Sequence, residues 1–182
     1  MQAFCVFDTT LKNWYMKKSL LLALFVSIFF QLSAQTVADI KAKMSVVQRN
    51  DYSKSLQLLQ ETNMLSQLEN TDVATVLLIP NIAFEELPAN ISRALLVDKN
   101  PQNITHFFSN LSFSNAINVG DLFNTLQTPN GIVHLTNKAG EELAVSKNGD
   151  WLMVTSPKGR EANIIEHFTV GKMVVGLLSS MY

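Results

Sequence analysis

The sequence contains a single cysteine, Cys5, among 182 residues, which excludes an intrachain disulfide and any multi-cysteine metal site. Charge is also scarce, at 16% of residues against roughly 25% in an average soluble domain. The net charge of −1, with no basic cluster, leaves no electrostatic footprint for nucleic acid or anionic lipid. Only seven glycines are present, and none of them builds a Gly-x-Ser-x-Gly elbow, a phosphate loop or a dinucleotide fingerprint. His-Glu-x-x-His and calcium-loop patterns are absent as well. These gaps remove the common sequence signatures of hydrolytic, nucleotide-dependent and metal-dependent enzymes.

What is abundant is apolar residue, 47% of the chain, and part of it is concentrated in one place. Ser19 to Leu32 is an uncharged stretch of Leu, Ala, Phe, Val and Ile preceded by Lys17 and Lys18. It is shorter than the roughly 20 residues of a membrane-spanning helix and fits the core of a secretory signal. The small residues Ser33 and Ala34 suit a cut after Ala34 or Gln35. The expected organisation is therefore an upstream extension over residues 1–15, a bacterial-type signal peptide over 16–34 beginning at Met16, and one domain over 35–182. An extended signal is the alternative for the first segment. Three of the fourteen basic residues and one of the fifteen acidic ones fall in the leader, so the mature domain would carry net −3 and no cysteine. It would be exported to the periplasm or beyond, with no stable membrane insertion after cleavage.

Within the mature part, apolar spacing predicts a helix from Val37 to Val47 and another from Ser53 to Leu68. Thr75 to Ile79 is a short continuous apolar run that reads as a buried strand ended by Pro80. A helical turn at Ala83 to Leu87 and helices at Ile91 to Val97, Pro101 to Leu111 and Asp121 to Leu126 follow. Five β-rich segments close the chain, beginning at Gly131, Glu142, Trp151, Glu161 and Lys172, with glycine-bearing turns between them. Asn148-Gly149 is the strongest hairpin signal, read as a turn with positive φ at both residues. Helices first and an antiparallel meander last predict an α+β domain.

The segment Thr75-Val76-Leu77-Leu78-Ile79-Pro80-Asn81-Ile82-Ala83-Phe84, followed by Leu87-Pro88, resembles the first motif of fasciclin-like domains, Thr-Val-Phe-Ala-Pro-Thr-Asn-x-Ala-Phe. Gly171-Lys172-Met173-Val174-Val175 is similar to the closing strand of that family. The resemblance runs from about Val37 to Leu178 and implies a fasciclin-like wedge, with N-terminal helices packed against a largely antiparallel sheet. Thr75, Pro80, Asn81, Ala83, Phe84 and Gly171 are then structural motif residues. Divergence is evident, because the proline falls one place late and Asn110-Leu111 stand where the family has Tyr-His.

The resemblance also implies an exported adhesion or binding module with a protein or glycan partner at the cell envelope. No catalytic residue, metal or cofactor is expected. His106, His134 and His167 lack metal-ligand spacing, and the pairs Glu85-Glu86 and Glu141-Glu142 read as solvated edges. A hydrolase acting on glycans through paired carboxylates is the alternative, since that chemistry depends on spatial separation. Trp151, Phe107, Phe108, Phe113 and Phe123 are the aromatics available for a binding face, and Phe113 and Phe123, in the least regular stretch, are the expected exposed contacts.

Overall fold

A computed structural model describes residues 37–61, 74–115, 117–126 and 131–182. The expected leader and the later half of the Ser53 to Leu68 helix lie outside the described residues. Where one helix was expected from Val37 to Val47, there are two: α1 over 37–43 and α2 over Val46–Asp51. The break has a local cause. Ser45 is extended, its side chain accepts the Gln48 N–H at 3.2 Å, and the Gln48 side chain accepts the Ser45 N–H at 2.7 Å. This capping box satisfies two otherwise orphaned helix-end donors and so starts a new helix. Val37, Ile40 and Met44 reach the core as the spacing predicts, but Val47 stays 66% exposed because the break rotates it away.

Helix α3, Ser53–Glu61, buries Leu56, Leu58 and Leu59. Strand β1, Ala74–Leu78, leads through Pro80 into a 3-10 turn at Asn81–Phe84. Helices α4, Ala89–Leu96, and α5, Pro101–Asn110, come next. Asn100 caps α5 by accepting the N–H groups of Gln102 and Asn103, with Pro101 in the first turn, where a missing N–H costs nothing. The two-residue strand β2, Ser112–Phe113, and helix α6, Val119–Thr125, complete the middle of the chain. The remaining strands are β3, Ile132–Thr136; β4, Glu142–Asn148; β5, Trp151–Thr155; β6, Glu161–Val170; and β7, Met173–Leu178.

These strands form one sheet in the order β2-β1-β7-β6-β5-β4-β3. β3 to β7 pair antiparallel in sequence order, which is the expected meander. β1 pairs antiparallel with β2 and parallel with β7, with Val76 opposite Val175. A strand with neighbours on both edges and Val76, Leu77 and Leu78 at no more than 1% exposure has no solvent face, so its apolar run is continuous rather than alternating. Close packing across this pair needs Gly176, since a Cβ there would lie 2.7 Å from Leu77 Cδ2.

The β4-β5 turn differs from its expected form. Asn148 pairs with Trp151 and remains part of the strand, so the two central residues are Gly149 and Asp150, and positive φ is confined to Gly149. Glycine at the first central position is the requirement of a type II′ rather than a type I′ turn. Gly171 plays the same part between Val170 and Met173, at φ +59°.

One hydrophobic core joins the helices to the sheet. Tyr52, at the end of α2, reaches the far side of it and donates its hydroxyl to the Leu178 carbonyl at 2.7 Å. Burial is the main reason its hydroxyl pKa is pushed up to about 12, with Asp51 and Glu166 adding to the rise.

Candidate functional site

The segment that resembles a family motif is a structural joint. The β1 ladder stops at Leu78, so the Ile79 carbonyl lacks a strand partner, and the buried Ser55 hydroxyl of α3 donates to it at 2.8 Å. Pro80 precedes the 3-10 turn and accepts the Ala83 N–H at 3.0 Å. Asn81 does not cap that turn. Its Oδ1 accepts the Lys54 N–H at 2.9 Å, and its Nδ2 donates to the Asn50 carbonyl at 2.7 Å and to Ser53 Oγ at 3.0 Å. The side chain thus closes the start of α3 from a distant part of the chain. Ala83 is fully buried, and Phe84, 1% exposed, sets its ring 5.7 Å from that of Phe107.

Thr75 holds the stretch after β2. Its hydroxyl donates to the Asn115 carbonyl at 3.1 Å and accepts the Ile117 N–H at 2.8 Å. That stretch is not the exposed aromatic surface the sequence suggests. Phe113 is 3% exposed, in register with Thr75, and Leu111, Ile117 and Val119 are also buried. The short strand β2 draws Phe113 into the sheet, and two residues are too few for periodicity to announce a strand. Phe123 is half-buried, with the Lys147 ammonium 5.3 Å from its ring centroid. Of the five candidate aromatics, Trp151 is the exposed one, at 46%.

The concave site lies elsewhere, in a groove of about 600 Å³. One wall is helical: α4 presents Ile91, Ala94 and Leu95, and α5 presents Asn103, His106, Phe107 and Asn110. These spacings each place one helical stripe along the groove. The β5-β6 turn forms a second part of the lining, with Ser156, Pro157, Lys158 and Arg160. That turn is fixed by Ser156 N–H donating to the Arg160 carbonyl at 2.8 Å and by Gly159 at φ +74°. Leu87, Met181, Tyr182, Ala139 and Glu141 complete the lining.

At the end of α5 the Asn110 carbonyl accepts two hydrogen bonds, from the Tyr182 hydroxyl at 2.6 Å and from Asn137 Nδ2 at 3.1 Å. Buried Asn137 also accepts the Glu141 N–H at 2.9 Å, tying the β3-β4 turn to the helix end. Burial pushes the Tyr182 hydroxyl well above its ordinary pKa, with Glu141 acting in the same direction. Where the resembled motif has Tyr-His, Asn110 is thus an anchored helix end and Leu111 a core residue.

Among the described residues, Glu141 is the one carboxylate that lines the groove, so the carboxylate pair a glycosidase needs is not assembled there. His106 lies on the groove wall, while His134 is on β3 and His167 on β6. His134 Nδ1 is 2.9 Å from Glu142 Oε1, an exposed cross-strand pair. Glu85 lies 3.8 Å from the Lys54 ammonium. No group of three or more His, Cys, Asp and Glu among the described residues is placed to hold a metal ion. No described helix is long and apolar enough to cross a membrane. The groove was invisible in sequence because its lining comes from five separated segments; helical stripes on α4 and α5 were the one available signal.

No protein-family model matches the sequence, and no curated protein matches it. Among solved structures, the chain is similar to a FAS1 domain pair from the insect cell adhesion molecule fasciclin I, with 15% identity and a TM-score of 0.54. The match covers 73% of this chain and 45% of that one, so the chain spans less than half the length of the domain pair. Together with the sheet order and the flanking helices, this likeness shows that the chain has a divergent fasciclin-like α+β fold.

Proposed function

We propose that the protein is an exported, non-enzymatic binding or adhesion module that contacts a protein or glycan at the cell envelope. The observation that carries the reading is the fasciclin-like fold, shared with a domain pair of a cell adhesion molecule. The lysine-preceded apolar stretch of residues 17–32 supports export. The groove supports binding, since ligand sites are typically concave, largely apolar and edged by a few polar groups. Half-buried Phe123 is a secondary candidate contact, whereas Phe113, 3% exposed, is not one.

Catalysis requires a nucleophile or base oriented by a second group beside a space for substrate. Glu141 of the β3-β4 turn and His106 of α5 both line the groove, and neither has a side-chain hydrogen bond to another titratable group among the described residues. The test is a paired assay on the purified secreted protein, measuring binding to envelope fractions and hydrolysis of a panel of glycans and esters. Saturable binding without turnover is the expected result. Hydrolysis lost in a single variant such as Glu141→Gln would replace this reading with the hydrolase.

A further inference from the structure

The ligand class can be read from the chemistry of the groove lining. Lys158 and Arg160 project from a turn with a fixed backbone, and among the described residues neither makes an ion pair. The domain as a whole is slightly acidic, so these two cations form a local exception. Asn90 and Asn103, which line the same groove, carry side-chain amides with no intramolecular hydrogen bond among the described residues. The helical wall also carries Ile91, 42% exposed, and buried Phe107.

Each part selects something different. An amide offers both a donor and an acceptor, the same complement as a peptide backbone. A hydrocarbon chain has no use for it. The aliphatic lining takes an apolar side chain, whereas stacking of a sugar face calls for an open aromatic platform, and Phe107 is only 6% exposed. Two unpaired cations attract a carboxylate.

We propose that this groove binds a short extended peptide segment of a partner protein in which an apolar side chain lies beside an acidic residue. The proposal rests on the binding-module reading and supplies its ligand class. The apolar side chain sits against Ile91, Asn90 and Asn103 hydrogen-bond the peptide backbone, and Lys158 and Arg160 face the acidic residue. Glu141, which also lines the groove, repels an acidic group placed beside it and so favours one direction of the segment.

The test uses the full secreted protein and a displayed library of random linear peptides, followed by titration of the enriched sequences as synthetic peptides. The enriched set should pair a large apolar residue with Asp or Glu. The double variant Lys158→Glu/Arg160→Glu, and separately Ile91→Asp, should weaken binding by roughly tenfold or more, and added salt should weaken it in the wild type. Both charge changes are on exposed side chains, so the melting curve should be unchanged. Glu141→Lys should preserve or tighten binding. Enrichment of basic or purely polar peptides, equal binding to the groove variants, or no enrichment overturns the proposal. Saturable envelope binding that ignores the groove variants sinks this inference while leaving the module reading intact; no envelope binding by the wild-type protein sinks both.

Discussion

The side-chain oxygen of Asn81 accepts the backbone N–H of Lys54 at 2.9 Å, across 27 residues of sequence. A helix normally finds its capping acceptor in the residue just before it. Here the cap comes from the strand-to-turn joint, and the same amide also holds Asn50 and Ser53. The asparagine therefore couples helix formation in α3 to completion of the joint after β1.

Asn81→Ala should cost about 1 to 2 kcal/mol, more than an isolated surface amide, because it removes a cap and two further hydrogen bonds. Asn81→Asp keeps the acceptor for Lys54 but sets a carboxylate against the Asn50 carbonyl, and should recover only part of the loss. Chemical denaturation of the three proteins checks the order.

Phe84→Ala should cost about 3 to 5 kcal/mol, through lost transfer energy and the cavity left beside Phe107. A midpoint shift equivalent to less than about 1 kcal/mol would contradict the packing described.

Thr75→Val should cost about 1 to 3 kcal/mol, since the buried Ile117 N–H loses its acceptor while the shape is retained. Hydrogen exchange should speed up at Ile117 and leave β5 and β6 unaffected.

Gly176→Ala should destabilise by about 1 to 3 kcal/mol, because the added carbon meets Leu77 in a core that cannot yield freely. Gly171→Ala meets no neighbouring atom, so its smaller cost, about 1 to 2 kcal/mol, comes from positive φ alone. Equal melting curves for the Gly176 variant and the wild type would refute the close β1-β7 approach.

Alkali should destabilise the fold through Tyr52. Its hydroxyl pKa is pushed up to about 12 in the folded protein, above the ordinary tyrosine value of about 10. Below pH 10 both states keep the proton, and stability is unaffected by this group. Between the two values the unfolded chain loses the proton while the folded one retains it, so stability falls by about 1.4 kcal/mol per pH unit. Tyr182 acts in the same direction over a window reaching higher. Tyr52→Phe should remove one proton's worth of slope between pH 10 and 12, measured by denaturant titration.

Much of the architecture was legible because it is locally encoded. The apolar run of β1, the proline start of α5 and the glycine turns of the meander each have a short-range physical signature. The break at Ser45 was encoded too, in the Ser-x-x-Gln spacing, but the apolar periodicity running through Val47 masked it. The rest is long-range. Nothing near Ala74 specifies a parallel partner at Met173, and nothing near Lys158 specifies that its turn will line the same groove as Ile91. Phe113 shows the same limit: an irregular neighbourhood in sequence became a buried edge strand once Thr75 was available as a partner.

The most direct test of the account is a binding isotherm of the purified protein on envelope fractions, with glycan and ester turnover followed in the same samples. The account predicts saturable, salt-sensitive binding with no turnover above a buffer control. Absence of saturable binding, together with hydrolysis that disappears in Glu141→Gln, would contradict it.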